Sequence, residues 1–179
     1  LSTDIVYQTD KPIIHMETIG KVKGWTNKNV TLQTTVTDEK AGIKAIQYKV
    51  NGKVVKSITF DRLVYRYEYA VTASENAADI NGYEVVVEVT NNCGTMNTMK
   101  RHVYIDKDKP KVKLSGIEEG KHYNHNQTIS ATVEDLSYEK TTTTFQINRT
   151  LDGKTYTTTS KKFSSNQFQD VCQLNVTEE

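Results

Sequence analysis

Four aspartates have the side-chain chemistry and the positions expected of calcium ligands. Asp38 and Asp135 each follow an alternating apolar segment, and Asp106 and Asp108 lie between two similar halves of the chain. Carboxylate oxygens suit Ca²⁺, so these residues are candidate ligands of a site near a domain junction. The alternative is that Asp38 and Asp135 cap the turns that follow them, while the other two are solvated or paired with neighbouring lysines. Calcium is the one cofactor we consider, and we expect no other.

His122, His125 and Trp25 are the candidates for binding a ligand. The two histidines flank a Tyr-Asn pair in a polar loop, where they could bind a metal ion together with a third ligand. A solvated loop is the simpler interpretation. Trp25 is the only tryptophan. It is either a platform on which a sugar or other ligand stacks, or a plug at the open end of a β-sandwich.

Nothing in the sequence predicts catalysis. The four histidines lack the spacing of a nucleophile or zinc motif, and there is no glycine-rich phosphate loop and no Ser/His/Asp order. Cys93 and Cys172 are too few and too far apart to form a disulfide framework. We expect two packed, unreactive thiols, with an interdomain or intermolecular bridge as the alternative. We therefore expect no enzyme activity and assign no catalytic residue.

The charge balance limits the partners. Lys and Arg number 23 and Asp and Glu number 22, which gives a net charge of +1. Such a chain is not drawn electrostatically to nucleic acid or to an anionic membrane surface. No apolar run approaches the roughly 20 residues of a membrane helix, so we expect no membrane insertion within this segment. Because the chain begins with Leu1, we expect it to be a piece of a longer protein.

An internal repeat sets the domain organisation. Asp10-Lys11-Pro12 recurs as Asp108-Lys109-Pro110, and several later segments recur at a constant offset of about 97 residues. Each copy is close to the roughly 100 residues of an immunoglobulin-type sandwich. We predict one domain over residues 10–106 and a second over residues 107–179. Residues 1–9 are the tail of an upstream repeat or a leading strand.

Alternating apolar residues predict strands throughout and no amphipathic helix. Several strands separated by turns at short, even spacing are typical of a β-sandwich, so the predicted class is all-β. The expected inward positions of the first domain are Val30, Leu32, Thr34, Val36, Ile46, Tyr48, Val50, Tyr83, Val85, Val87 and Val89. Those of the second domain are Ile129, Ala131, Val133, Phe145 and Ile147.

The second domain is expected to be incomplete or divergent. The first domain continues much further beyond its Asn51-Gly52 hairpin than the second does beyond Gly153. Counterparts of the strand that starts at Gly82 and of the final strand are missing from the second copy. It is therefore divergent and short, truncated, or completed by a strand from elsewhere, because an open sheet edge invites pairing. We also expect its hairpin loop to lengthen to residues 148–153.

Four segments together resemble the bacterial immunoglobulin-like (Big-type) repeats that occur in tandem on surface proteins of Gram-positive bacteria. They are Gly24-Trp25-Thr26-Asn27, Asp38 with Ala41-Gly42-Ile43, Asn51-Gly52-Lys53, and Gly82-Tyr83 leading to Asn92-Cys93-Gly94. Asp79 to Tyr83 also resembles a tyrosine corner, in which the Tyr hydroxyl bonds to nearby backbone. Val85 stands where antibody domains have a disulfide cysteine. The resemblance implies two tandem immunoglobulin-like β-sandwich domains, the second incomplete.

The resemblance also implies an extracellular setting on a bacterial cell surface. We expect a non-catalytic structural or interaction module of a surface or secreted protein, acting as a spacer, a stalk or an adhesive segment. Its partners would be neighbouring repeats of the same chain and a host glycan or protein ligand. The alternative is an accessory segment of a large secreted enzyme, carbohydrate-active or otherwise extracellular.

Overall fold

The described part of the chain consists of β-strands joined by turns and loops. The computed structural model describes residues 9–138, 141–151, 154–165 and 167–176, and they contain thirteen strands. The predicted all-β class is confirmed. No helix in this described part is long and apolar enough to cross a membrane. The chain divides into two compact units, Leu1–Lys107 and Asp108–Glu179, which we call unit 1 and unit 2.

The described residues of unit 1 form eight strands in two sheets. They are β1 (Ile13–Thr18), β2 (Trp25–Thr26), β3 (Val30–Thr37), β4 (Ile43–Val50), β5 (Lys53–Thr59), β6 (Arg66–Ala73), β7 (Tyr83–Asn91) and β8 (Met96–Ile105). One sheet has the order β1-β3-β6 and the other the order β2-β8-β7-β4-β5. Every pair is antiparallel except β2 with β8, which is parallel. Such a pair of sheets is consistent with a β-sandwich.

The core of unit 1 follows the predicted alternation. All eleven inward positions expected on β3, β4 and β7 are buried. Thr34 is the polar member of this set, and its hydroxyl donates to the carbonyl oxygen of Tyr69 at 2.7 Å. The hydroxyl of Tyr48 lies 3.1 Å from Oγ1 of Thr34. These bonds meet the requirement that a buried polar group have a partner, so the threonine is accommodated in an otherwise apolar face.

The predicted tyrosine bond at the start of β7 is present. The hydroxyl of Tyr83 donates to the carbonyl oxygen of Glu75 at 2.8 Å. The ring of Tyr83 is buried, so one side chain contributes to the core and also ties down the connection between β6 and β7. Val85, two residues later, is fully buried in the position expected of a core residue.

The polypeptide enters unit 1 at one end and leaves it at the other. Asp10 forms an ion pair with Lys40 at 2.7 Å, beside the end of β3. Asp106 lies beyond the end of β8, where its N–H donates to the carbonyl oxygen of Thr26 at 2.9 Å, near the start of β3. Eight residues of extended strand separate these two ends, a distance of about 25 Å.

Unit 2 has five strands in the described residues. They are β9 (Lys111–Ser115), β10 (Gln127–Glu134), β11 (Thr141–Leu151), β12 (Lys154–Ser165) and β13 (Gln169–Val176). One sheet has the order β13-β10-β9, and β11 and β12 form a separate antiparallel hairpin. Buried residues from three of these strands form a small core, consisting of Ala131, Val133, Phe145, Cys172 and Leu174.

The predicted loop over residues 148–153 is wrong. β11 continues to Leu151, which pairs directly with Lys154, so only residues 152 and 153 lie between the strands. A register shift between Ile147 and Asn148 accompanies the longer hairpin. The residues added in this copy extend the ladder, because their backbone adopts the extended conformation of a strand up to Leu151. Residues 152 and 153 themselves lie outside the described part of the chain.

The cysteines differ in environment. Cys172 is buried in the core of unit 2, as expected, and Cys93 is exposed in the turn between β7 and β8. The expectation of a packed thiol is therefore wrong for Cys93, because it occupies the tip of a tight turn. Both cysteines are free thiols.

Candidate functional site

The two units share the same strand register, which allows their surfaces to be compared residue by residue. Val112 on β9 faces Val133 on β10, as Ile14 on β1 faces Val36 on β3. The offsets in sequence match those of the internal repeat. Each position on the inner side of β9 therefore has a known counterpart on β1.

The inner residues of β9 are exposed, although their counterparts on β1 are buried. Ile14 and Met16 have 7% and 1% of their surface exposed. Val112 and Leu114, at the equivalent positions, have 59% and 56% exposed. Large apolar side chains at inward-facing positions normally lie in a core, so this contrast marks a surface that unit 1 covers and unit 2 leaves open.

In unit 1 this surface is covered by β7 and β8. β4 lies between β5 and β7, and the side chain of Asn97 on β8 donates to the carbonyl oxygen of Pro12, just before β1, at 2.7 Å. In unit 2, within the described residues, β11 pairs along one side with β12, and no described strand lies along its other side. The inner side of β11 carries Phe145, which is buried, and Thr143 and Ile147, which are half-buried.

A cavity of about 600 Å³ opens between the two sheets of unit 2. Its apolar lining comes from β9, β10, β11, β13 and the loop after β9, and consists of Leu114, Ile117, Ile129, Phe145, Ile147 and Val176. We refer to Val112, Leu114, Ile129, Phe145 and Ile147 together as the open face. The cavity has the volume and the apolar lining that are typical of ligand pockets.

His122 and His125, predicted from sequence as ligand-binding candidates, line this cavity. Nδ1 of His125 lies 3.1 Å from the side-chain oxygen of Asn124. Tyr123 packs edge-on against the imidazole of His125, with ring centroids 6.4 Å apart, and its hydroxyl accepts the N–H of Glu118 at 2.8 Å. The loop is therefore held by its own contacts and presents imidazole groups to the rim of an apolar cavity, where they can donate or accept hydrogen bonds.

The described residues contain no group of three or more His, Cys, Asp or Glu side chains that could hold a metal ion. The two histidines thus lack a third protein ligand of these types in the described part. Ligation of a structural metal ion usually requires four ligands, and a catalytic ion requires three from the protein. The rim is best suited to form hydrogen bonds with the polar groups of a ligand that is otherwise apolar.

Asp38 and Asp135 hold turns. One carboxylate oxygen of Asp38 accepts two backbone N–H groups of the following turn, at 2.8 and 3.2 Å, and the other accepts the side-chain amide of Asn91 at 3.0 Å. Asp135 accepts both the N–H and the hydroxyl of Ser137, at 2.7 and 2.6 Å. Both residues therefore do what the alternative to calcium binding predicts.

Asp106 and Asp108 belong to different units. Asp106 is only 6% exposed and lies at the end of unit 1 opposite to Asp38. The separation of about 25 Å means that these two carboxylates cannot share one ion. Asp106 is therefore buried and not solvated, because the chain passes beside Thr26 before it leaves the fold. Asp108 is exposed in unit 2.

Trp25 lies at one end of unit 1 and is half-buried. Its ring packs edge-on against Tyr104, with centroids 5.6 Å apart, and contacts the core cluster of the unit. This packing is that of a residue that closes the end of a sandwich.

The sequence did not point to Val112 or Leu114 as surface residues, although the register of the repeat, combined with the shortness of the second copy, contained the necessary signal.

The chain has no recognisable relative in two comparisons. Models of known protein families gave no match, and no curated protein has a significantly similar sequence.

Proposed function

We propose that the chain is a tandem pair of immunoglobulin-like modules from a bacterial surface or secreted protein, acting as a spacer or stalk with an adhesive capability. It has no catalytic role. The strand order of unit 1 supports the immunoglobulin-like assignment. Its sheets β1-β3-β6 and β2-β8-β7-β4-β5 resemble the two-sheet arrangement of immunoglobulin domains, with one strand fewer in the first sheet and with β2 and β5 as additional edge strands of the second.

Two local features support the same assignment. The Tyr83 hydroxyl bonds to the backbone at the connection before β7, as in a tyrosine corner. Val85 is fully buried at the position where antibody domains carry a disulfide cysteine. The module therefore relies on packing and not on a disulfide across its sheets.

The observation that carries the spacer role is the path of the chain through unit 1. The polypeptide enters beside Lys40 and leaves beside Thr26, at opposite ends of the strands. Tension applied to the two ends is therefore directed along the strands. β2 is parallel to its neighbour β8, so such tension loads their hydrogen bonds in shear, and these bonds must fail together. A unit connected in this way can transmit force along a stalk.

Single-molecule stretching of the full chain, held by its two termini, tests this role. We expect unit 1 to unfold in one cooperative event that releases about 300 Å of chain, given the roughly 3.3–3.6 Å that each extended residue spans. Gradual extension at low force, without a discrete event of this length, would contradict a load-bearing spacer.

Binding tests separate a plain spacer from an adhesin. The full chain is applied to an array of host glycans and matrix proteins, with a heat-denatured sample as the control. Saturable binding to one class of ligand establishes the adhesive capability, and its absence restricts the proposal to the spacer. Turnover of a glycan by the chain itself would overturn the non-catalytic assignment.

A further inference from the structure

We propose that Asn51, at the tip of the β4–β5 hairpin, is a site of spontaneous deamidation in the folded protein. The peptide nitrogen of Gly52 is the nucleophile, and water is the only co-reactant. The products are aspartate and isoaspartate at position 51. This inference goes beyond the spacer role and does not depend on it, because it assigns unit 1 a covalent modification of its own.

The sequence contains two Asn-Gly pairs, Asn51-Gly52 and Asn81-Gly82. In such a pair the asparagine side chain reacts readily with the next peptide nitrogen, because glycine has no side chain to block the approach. Both pairs lie in turns, and both asparagines are exposed. The residue types and the exposure of the asparagine therefore do not distinguish the two pairs, and selectivity has to come from the structure around each glycine.

The two glycine nitrogens differ in their hydrogen bonding. The N–H of Gly82 donates to the carbonyl oxygen of Asp79 at 3.2 Å. Within the described residues the N–H of Gly52 forms no such backbone bond, since the hairpin closes through Val50 and Lys53, which pair on either side of its two-residue turn. The nitrogen that must lose its proton and attack is therefore open to solvent at Gly52 and held by the backbone at Gly82.

The two glycines also differ in the space around them, which matters because the attack requires the peptide between asparagine and glycine to rotate. A Cβ placed on Gly82 would collide with the carbonyl oxygen of Val103, so the main chain there is packed closely against β8. A Cβ placed on Gly52 meets nothing within 4 Å. β5 is an edge strand, and a register shift between Tyr48 and Lys49 interrupts its pairing with β4 near the tip. Rotation at Gly52 is therefore a local event, whereas rotation at Gly82 disturbs the start of β7.

The reaction balances without an oxidant or a reductant. The Gly52 nitrogen forms a bond to Cγ of Asn51, the bond from Cγ to Nδ2 breaks, and the leaving nitrogen takes up the proton of the Gly52 N–H and departs as ammonia. Water then adds to one of the two carbonyl carbons of the cyclic imide, whose bond to the nitrogen breaks as the nitrogen regains a proton. Opening at one carbonyl gives aspartate, and opening at the other gives isoaspartate, in which the main chain runs through Cβ and Cγ.

Deamidation changes what holds the hairpin tip. The side-chain amide of Asn51 donates to Oε2 of Glu75 at 3.3 Å, and Nζ of Lys53 donates to Oε1 of the same carboxylate at 3.0 Å. These bonds, that from Lys53 first, hold the pKa of Glu75 below its ordinary value, so its carboxyl is ionised at neutral pH. A carboxylate at position 51 has no proton to donate and repels that of Glu75. Isoaspartate in addition lengthens the main chain in a turn of two residues.

Peptide mass spectrometry of the full chain tests the proposal. The folded protein is incubated at mildly alkaline pH, a second sample is incubated in concentrated urea, and aspartate and isoaspartate are quantified at both sites over time. In the folded protein we expect Asn51 to convert at least about tenfold faster than Asn81, a difference of about 1.4 kcal/mol in activation free energy. In urea the two rates should become similar, because the residue pairs are the same and the structure that separates them is lost.

Two matched substitutions test the effect on the hairpin tip. Asn51→Asp reproduces the aspartate product, and Asn81→Asp makes the same change of charge at the second site. In NMR spectra of the ¹⁵N-labelled full chain, Asn51→Asp should shift the amide signals of the hairpin tip and of Glu75. Asn81→Asp should leave the Glu75 signal where it is.

Equal rates at the two sites of the folded protein, or faster conversion at Asn81, would overturn the proposal. So would an Asn51 that stays intact in the folded protein over a period in which it converts in urea. A Glu75 signal that does not move in Asn51→Asp would refute the loss of the contact at the hairpin tip.

Discussion

The side-chain amide of Asn91 donates to the carboxylate of Asp38 at 3.0 Å, joining two turns that are 53 residues apart in sequence. The side-chain oxygen of Asn91 also accepts the N–H groups of Cys93 and Thr95, at 3.1 and 2.8 Å. Both Asn91 and Asp38 are almost fully buried. One asparagine therefore fixes the β7–β8 turn and anchors it to the turn that follows β3.

Asn91→Ala should destabilise unit 1 substantially. The substitution leaves a buried carboxylate oxygen and two backbone N–H groups without these partners, and we expect a loss of about 2–4 kcal/mol in the free energy of unfolding. Urea denaturation measures it. Asn92→Ala is the matched control, because Asn92 is exposed and its side-chain amide donates to Ala41 at 2.8 Å. Its loss should stay below about 1 kcal/mol. Equal losses in the two variants would show that burial of the network is unimportant.

Calcium should have no effect on the stability of the chain. The carboxylate of Asp38 already accepts three hydrogen bonds from protein donors, and that of Asp135 accepts two from Ser137. Binding an ion would require these bonds to be replaced. We expect the same melting midpoint in excess EDTA and in millimolar Ca²⁺. A midpoint that rises with Ca²⁺, and no longer does so in Asp135→Asn, would establish a site in unit 2.

Tyr83→Phe tests the hydroxyl bond to Glu75. At neutral pH the variant should lose about 1 kcal/mol of stability, because a carbonyl oxygen loses its donor while the ring remains packed. Burial, together with the nearby Glu75 carboxylate, raises the pKa of the Tyr83 hydroxyl above its ordinary value of 10.0. In the unfolded chain the hydroxyl ionises near that ordinary value.

The raised pKa makes the stability difference between the wild type and Tyr83→Phe depend on pH. The contribution of the Tyr83 hydroxyl is fully present below the unfolded pKa and is lost as the pH rises through the native pKa. Urea unfolding of both proteins between pH 8 and pH 11 should therefore show the advantage of the wild type shrinking above about pH 10. An advantage that grows over this range would mean that the native hydroxyl ionises more readily than the unfolded one.

The sequence predicted the fold of unit 1 well because its signals are local. Alternation along β3, β4 and β7 identified eleven of their inward residues but not Ile43, which a register shift separates from the rest of β4, and the tyrosine bond followed from a short motif. The extension of the β11–β12 hairpin over residues 148–151 was missed because its polar residues provide no apolar alternation to extend a strand. Burial of Asp106 was also missed, since it depends on the packing of β2 beside β8, and two residues of strand give almost no sequence pattern.

The exposure of the open face could not be predicted from the sequence for a different reason. Ile14 and Val112 occupy equivalent positions in two similar strands, so a local pattern assigns both to a core. Their exposure differs because of β8, which is distant in sequence from β1 and has no described counterpart in unit 2. The repeat indicated a missing strand, but only the register established which side chains that strand would have covered.

Gly82→Ala should be far more costly than Gly52→Ala. Both glycines have positive φ, +68° and +75°. A Cβ at Gly82 would lie 2.8 Å from Cδ1 of Tyr104 and closer still to the carbonyl oxygen of Val103, whereas a Cβ at Gly52 meets nothing within 4 Å. Gly52→Ala should cost about 1–2 kcal/mol from the left-handed backbone alone. Gly82→Ala should exceed this by at least about 2 kcal/mol in urea unfolding, because β7 and β8 must separate. Similar losses of stability in the two variants would mean that the penalty comes from the backbone conformation alone.

Unit 2 should unfold before unit 1. Eighteen buried residues form the core of unit 1 and five that of unit 2, within the part of the chain that the structure describes. Less buried apolar surface means a lower free energy of unfolding, so we expect two separate thermal transitions.

Phe145→Ala should remove about 3–4 kcal/mol from the first transition, because Phe145 is 8% exposed and packs against Phe163 with ring centroids 5.6 Å apart. The second transition should not move. Ile46→Ala, in the core of unit 1, is the reciprocal control and should shift only the second transition. One merged transition that shifts with both substitutions would mean that the two units fold as a single cooperative body.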